Sequence, residues 1–423
     1  RAGGGASPRP LAGCALVAGA ALIGVLSALA ESDSSWVDAI APVLGAVAAV
    51  ATLVLLTRAA GDDTDRPLAP DNAGRRLLLA GGVAGTVAAL SGAGGRLLQG
   101  RVSATASRQA VVLPKPAQPL PPIPPGADLH VPGLSPFVTP NTDFYRIDVN
   151  LVVPQVETNG WTLRIDGMVD TPLTLTYEEL LARPMVEADV TLMCVSNEIG
   201  QGLIGNARWL GVPLAGLLDE VGVHAKADQL VGRAVDGFTT GSPLQVVRDG
   251  RDALIAVGMN GEPLPIRHGF PARLVVGGLY GYVSATKWLR QIEITRFDAY
   301  DPYWIQRGWA SKGPVKVGSR IDTLGGRSSA GPIPIAGVAW AQGRGVAKVE
   351  VRIDADPWRE AVLGDAVGND TWRQWRYDWE ATSGKHTIAV RATTDDGEVQ
   401  TGEQAPPFPD GATGWHIVSV RIS

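Results

Sequence analysis

Cysteine is almost missing from this chain: Cys14 and Cys194 are the only two among 423 residues. Cys14 sits in an apolar run and Cys194 lies far away in a mixed stretch, so the pair does not read as a disulfide. A domain stapled by disulfides is excluded. So are a C-x-x-C-H haem site, an iron–sulfur set and a cysteine-based zinc site. Histidine is scarce too. His130, His224, His268, His386 and His416 are scattered, with no H-E-x-x-H pair. Positive charge is not in excess: the formal net charge is −5, and no basic block carries interleaved aromatics. Nucleic acid is therefore not an expected partner. The length leaves room for two or three domains with full cores.

Long apolar runs, in contrast, are plentiful at the start. Leu11–Ala30, Trp36–Thr57 and Leu77–Leu98 are each close to the roughly 20 residues that a membrane-crossing helix needs. They are expected to form three transmembrane helices (11–30, 36–57, 77–98) within a membrane segment spanning 1–100. The loop Glu31–Ser35 has no Lys or Arg, whereas the next connection carries Arg58, Arg66, Arg75 and Arg76. By the positive-inside rule that connection faces the cytoplasm, and the chain after the third helix lies on the extracytoplasmic side of the cell membrane. Arg75-Arg76 before a Gly-rich apolar run also fits a twin-arginine export signal; the other reading is a simple charge anchor. The chain opens on Arg1 rather than Met, so further residues, helices among them, are expected upstream.

Residues 101–136 are Pro-dense and read as an extended linker, a spacer that also packs on the domain edge. From 137 to 310 short elements alternate. Strands are expected at Trp161–Ile165, Leu173–Leu175, Ala188–Leu192, Leu230–Val235, Ala253–Val257, Arg273–Val276 and Gln291–Ile294. Helices are expected over Tyr177–Leu181, capped by Thr176, and over Pro213–Val221, ended by Gly222. These elements are too short for a doubly wound sheet, so the fold class is α+β. Residues 311–423 carry strand-spaced runs at Val346–Ile353, Trp375–Trp379, His386–Ala392 and Trp415–Ser423. They read as an immunoglobulin-like β-sandwich whose tryptophans (Trp358, Trp372, Trp375, Trp379) belong to its core.

Cys194 follows a strand end. By residue type it is an inert buried thiol, a metal ligand, or a nucleophile for which His268 is an available base. Its surroundings narrow the choice. The run Thr191-Leu192-Met193-Cys194-Val195-Ser196-Asn197 is followed by Ala207-Arg208-Trp209 and His268-Gly269-Phe270-Pro271-Ala272-Arg273. Gly278-Leu279-Tyr280-Gly281 and Lys287-Trp288-Leu289 come next, and Thr139-Pro140-Asn141-Thr142-Asp143-Phe144-Tyr145-Arg146 lies upstream. In these motifs residues 137–423 resemble the sulfite oxidase family of molybdenum-cofactor oxidoreductases, in a bacterial membrane-anchored branch.

The resemblance implies a molybdopterin-binding catalytic domain at 137–310, with Cys194 as the metal-ligating, catalytic thiolate. It implies Asn141, Tyr145, Arg146, Asn197, Arg208, His268, Arg273 and Lys287 as further contacts to the pterin and its phosphate. Two departures stand out. Asn197 is followed by Glu198 and Ile199 where sulfite-oxidising members carry basic residues, and Asp236-Gly237 is followed by Phe238 instead of tyrosine. Both argue against sulfite.

The expected function is two-electron chemistry, oxygen-atom transfer, on a small molecule, with sulfoxide reduction as the leading reading. Sulfite dehydrogenation is the alternative, as is a cofactor-free binding protein that keeps the fold. With no haem motif in the chain, electrons are expected to pass through a separate cytochrome, quinone or membrane subunit. Gly384-Lys385-His386-Thr387 resembles the family's dimerisation domain, so a homodimer is one arrangement and membrane anchoring without it the other. Replacing Arg75 and Arg76 together by lysine should strand the C-terminal domain in the cytoplasm. Cell fractionation checks this, and normal export would refute the twin-arginine reading.

Overall fold

The computed structural model describes residues 104–423, apart from 151, 325 and 326. The three apolar runs and Arg75-Arg76 lie outside the described residues. Among the described residues, no helix is long and apolar enough to cross a membrane.

Ten strands build the first part: β1 (Thr162–Gly167), β2 (Leu173–Thr176), β3 (Val186–Met193), β4 (Ile204–Pro213), β5 (Gln229–Ala234), β6 (Thr239–Pro243), β7 (Ala253–Met259), β8 (Glu262–Pro263), β9 (Arg273–Val276) and β10 (Leu289–Thr295). Their helices are short: α1 (Thr105–Ala110), α2 (Tyr177–Leu181), α3 (Leu214–Val221) and α4 (Gly281–Ser284). The mixed α+β expectation is corrected to a mostly β architecture. Strand-forming runs broken by Gly and Pro turns leave no helix longer than the eight residues of α3 among the described residues. Where local chemistry decides an element, the sequence reading holds. Thr176 and Glu179 form a reciprocal capping box at the start of α2. Gly222, at φ 68°, follows α3.

One sheet runs β2-β1-β10-β5-β6, with β1 and β10 parallel. The other runs β3-β4-β7-β8, with β9 on β7. The run Ala253–Val257 is continuously apolar because both faces of this second sheet are covered. Ala253, Ile255 and Val257 join the main core, while Leu254 and Ala256 pack with Trp209, Phe144 and Phe270 on the other side.

Nine more strands follow: β11 (Gly318–Ile321), β12 (Arg327–Ser328), β13 (Gly331–Trp340), β14 (Val346–Ile353), β15 (Arg359–Glu360), β16 (Val362–Leu363), β17 (Arg373–Ala381), β18 (Gly384–Thr394) and β19 (His416–Ile422). They form two sheets, β11-β13-β17-β16 and β12-β19-β18-β14-β15, closed over a core that includes Trp375, Trp379, Val349, Val351, Ile388 and Val390. The expected tryptophan core is met in part. Trp372 joins the other domain's core instead, and Trp358 packs edge-on against Trp415 with centroids 4.9 Å apart.

The boundary at 310/311 is not a break. Residues 104–423 are one compact unit, and the Pro-dense segment is folded onto it. Ala117 N–H donates to Met185 O, Leu129 N–H to the Gln374 side chain and Ser135 N–H to Asp322. Thr191, three residues before Cys194, ties strand to sandwich. Its hydroxyl donates to Asn206 Oδ1 (3.0 Å) and accepts from Trp372 N–H (2.8 Å). Its N–H donates to Asp370 O, and its carbonyl accepts from the Gln342 side chain. Thr191→Val keeps the shape but strands two buried partners. It should cost about 1–3 kcal/mol, read as a lowered midpoint in thermal or urea unfolding.

Candidate active site

β3 pairs antiparallel with β4 over eight residues, Val186↔Gly211 to Met193↔Ile204, and delivers Cys194 one residue past its end. There the chain turns tightly. Cys194 N–H donates to Leu203 O, Asn197 N–H donates to Cys194 O, and Asn197 Oδ1 accepts from Leu203 N–H at 2.7 Å. The sandwich holds the turn from outside. Arg320 Nη1 donates to Gln201 O at 2.9 Å, and the His416 ring lies so close to Gly200 that any side chain there would collide with it. The Cys194 thiol is mostly buried. That burial pushes its pKa up, against hydrogen bonds from the Ser196 N–H and hydroxyl.

Cys194 lines a cavity that opens to solvent. Four other expected site residues line it or sit at its wall, each for a local reason. Phe144 lies against Gly205 of β4, where a Cβ would be 2.9 Å from its ring, and stacks on Tyr145 at 5.3 Å. That packing places Tyr145 in the cavity, where burial drives its phenol pKa far above the usual range and keeps the proton on the oxygen. His268 ends a 3-10 turn (Ile266–His268), followed by Gly269 at φ 109°. A Cβ on Gly269 would meet Lys287 and Arg273 at 3.0–3.1 Å, so glycine lets these two chains approach. Buried His268 has its pKa lowered to about 4 by desolvation and by Arg273. It is therefore neutral near pH 7, and its Nε2–H donates to Asn141 O at 3.0 Å.

Arg273 is buried, and its pKa is lowered to about 10 by that burial. Its Nη1 donates to His268 O and its guanidinium carbon lies 5.0 Å from the Trp209 ring centroid, but its Nε has no acceptor among the described residues. Lys287 is also largely buried and lowered to about 8, with Asp148 as its ion-pair partner. A buried guanidinium with an unused donor, an ammonium and a thiol around one cavity fit a ligand that is anionic at one end and thiophilic at the other. Those are the demands of a metal–pterin with a phosphate tail.

The remaining expected residues lie off the cavity. The Asn141 side chain bonds Met259 O, Glu262 and Asn260, so only its carbonyl reaches the site, through His268. Asn197 shapes the turn. Arg146 pairs with Asp148 at the rim. Arg208 stands opposite Asp189 in the β3–β4 register, binds it through two nitrogens at 2.9 and 2.7 Å, and also donates to Pro121 O. The sequence showed Arg208 in its motif but not the partner that takes its charge. Glu198 is exposed and does not line the cavity, so the argument that it repels an anion there falls. Phe238 does line it. Sequence reading missed Asp148, Tyr282, Trp304 and Trp309 as lining residues; the Trp pair near the domain's end was the one available signal.

A family model described as "Oxidoreductase molybdopterin binding domain" matches residues 150–304. The Bacillus subtilis (strain 168) protein "Uncharacterized oxidoreductase YuiH" is 35% identical over 153 residues, covering 36% of this chain and 74% of that protein. Mitochondrial sulfite oxidase of Mus musculus is 27% identical over 344 residues, covering 68% of this chain and 62% of the relative, so the chain spans less than two thirds of that relative's length. Among solved structures, the sulfane dehydrogenase SoxCD from Paracoccus pantotrophus aligns with a TM-score of 0.56 at 26% identity, over 62% of this chain and 74% of that one.

The buried His268 makes stability depend on pH. Its folded pKa of about 4 lies below the ordinary 6.5, so the unfolded chain takes up the proton first. Its contribution is complete above pH 6.5 and is lost toward pH 4, by up to roughly 3 kcal/mol. In His268→Gln the unfolding midpoint should fall less steeply across that window. An unchanged slope would show that His268 is not buried as a neutral ring.

Proposed function

The chain belongs to the sulfite oxidase-type family of molybdopterin oxidoreductases, and from that premise we propose that it holds a molybdenum cofactor at Cys194 and performs oxygen-atom transfer on a small substrate. The observation that carries this reading is the shared cavity of the Cys194 thiol and the unpaired Nε of buried Arg273. When bound, the cofactor supplies the two-electron redox chemistry.

The chain's residues do the rest. Cys194 Sγ would be the metal's protein ligand. It must give up its proton to bind, against the burial that favours the thiol. The Ser196 hydrogen bonds favour the thiolate. Arg273 and Lys287 would hold the phosphate end. Neutral His268 and the Asn141 carbonyl brace Arg273 from behind. Tyr145 keeps its proton on Oη and serves as a donor rather than a base. Phe238 has no proton to give, so a substrate at that side of the cavity meets an apolar face.

Sulfoxide reduction suits this apolar side. Sulfite dehydrogenation is the second reading, favoured by the relatives that carry the sulfite oxidase name. Electrons pass through a separate partner, a cytochrome, a quinone or a membrane subunit. The anchor is the apolar N-terminal segment, with the catalytic part on the extracytoplasmic side. We read the sandwich as immunoglobulin-like.

Protein purified from molybdate-replete host cells should contain near-stoichiometric molybdenum by mass spectrometry. In Cys194→Ser, turnover should fall by more than about 100-fold, beyond the range typical of changes behind a ligand. Metal-free protein from such cells would sink the enzyme reading in favour of a fold-retaining binding protein. A screen of sulfoxides, sulfite and nitrogen oxides with artificial electron donors and acceptors separates the two substrate readings.

A further inference from the structure

One wall of the cavity is aromatic. Phe238, Tyr282, Trp304 and Trp309 all face it. Trp309 lies 5.9 Å from Tyr282 and 6.3 Å from Trp304 between ring centroids. Tyr303 joins the set, 5.7 Å from Phe238 and 5.1 Å from Trp304. The rings thus pack as one continuous wall, edge to face around Trp304 and tilted elsewhere, with the Trp304 and Trp309 indoles only half-buried. Aromatic faces of this kind attract organic cations, tryptophan most strongly. The same set already holds one: the Arg307 guanidinium carbon is 3.6 Å from the Tyr303 centroid.

Asp236 lines the cavity beside this wall. Its Oδ1 accepts from the Phe238 N–H at 3.1 Å, which fixes the carboxylate next to that ring. Among the described residues it has no ion-pair partner, whereas the other lining acid, Asp148, is held by Lys287 and Arg146. The lining charges of Arg273 and Lys287 cancel those of Asp148 and Asp236, and His268 is neutral. A phosphate tail brings close to two further negative charges. Counting only the groups that line it, the loaded cavity is then negative, with Arg146, Arg267 and Arg307 outside the lining. That field opposes an anion and favours a cation.

We propose that the substrate of this site carries an alkylated or protonated ammonium group, seated against Trp304 and Trp309 with Asp236 as its counter-charge. The inference rests on the cofactor reading of the cavity and narrows its substrate class.

The test is binding to the purified full chain with its cofactor. Tetramethylammonium chloride is titrated by calorimetry and tryptophan fluorescence, with tert-butanol as the neutral match in shape and sodium chloride as the salt control. The cation should bind at least about tenfold more tightly than tert-butanol, and Asp236→Asn or Trp304→Leu should each weaken it by about tenfold. Asp236→Asn keeps an acceptor for the Phe238 N–H, so its fold is preserved, and a thermal melt checks it. Equal affinity for the cation and the alcohol, or unchanged affinity in both variants, overturns the proposal. Full molybdenum content without cation preference overturns this subsite alone. Cation preference in a preparation that lacks molybdenum supports the subsite and counts against the cofactor reading.

Discussion

The end of β3 is the constraint on which the site depends. Thr191 makes hydrogen bonds in four directions within one residue: to Asn206 on β4, and to Trp372, Asp370 and Gln342 on the sandwich side. Phe137 from the incoming segment closes the set, its carbonyl accepting from both Asn206 and Trp372. A strand end held this way has no slack in position or in register. Cys194, three residues on, therefore emerges at a fixed point, and the turn behind it is braced by Arg320 and the His416 ring. The sandwich thus acts on the site mechanically. It fixes the strand and the turn that present the thiol.

Around that point the protein keeps charge in an uncomfortable arrangement. Arg273 is buried and Lys287 largely so, and both have their pKa lowered by loss of water. Burying a cation with an unused donor is destabilising unless something anionic completes it. The chain provides part of the compensation in Asp148 and in the aromatic faces of Trp209 and Trp288. The remainder suits a ligand. Such a site trades stability for binding, which is the usual pattern where an ion-recognising pocket is preformed.

Some of this was legible from the chain alone, and the limits follow residue by residue. The α2 cap, the α3 terminus and most strands were readable because each is set by neighbours within a few positions. Cys194 and the His268–Arg273 run were readable as motifs, and the cavity brings Cys194, Tyr145, His268, Arg273 and Lys287 together. Arg208 and Glu198 lie off the cavity for one reason: a side chain's neighbours come from how distant stretches of backbone pair and turn. Asp189 takes Arg208 only because β3 and β4 pair in one register, and Glu198 points outward only because of how its turn closes. The Pro-dense stretch was half legible. Its extended form and its packing on the domain edge were expected, but the distant residues it bonds were not.

What the sequence by itself determined is local and chemical: which residues can ligate, donate or carry charge, where helices begin and stop, and the scarcity of thiols that leaves Cys194 as the one candidate outside the apolar N-terminal runs. What only the tertiary structure decided is company. Strand register, sheet order and the docking of the sandwich chose which charges face the cavity and which neutralise each other elsewhere. They also gathered Phe238, Tyr282, Trp304 and Trp309 into one wall. Local propensities act over a few residues, whereas these choices come from burying surfaces that lie far apart in the chain, and single positions do not encode them.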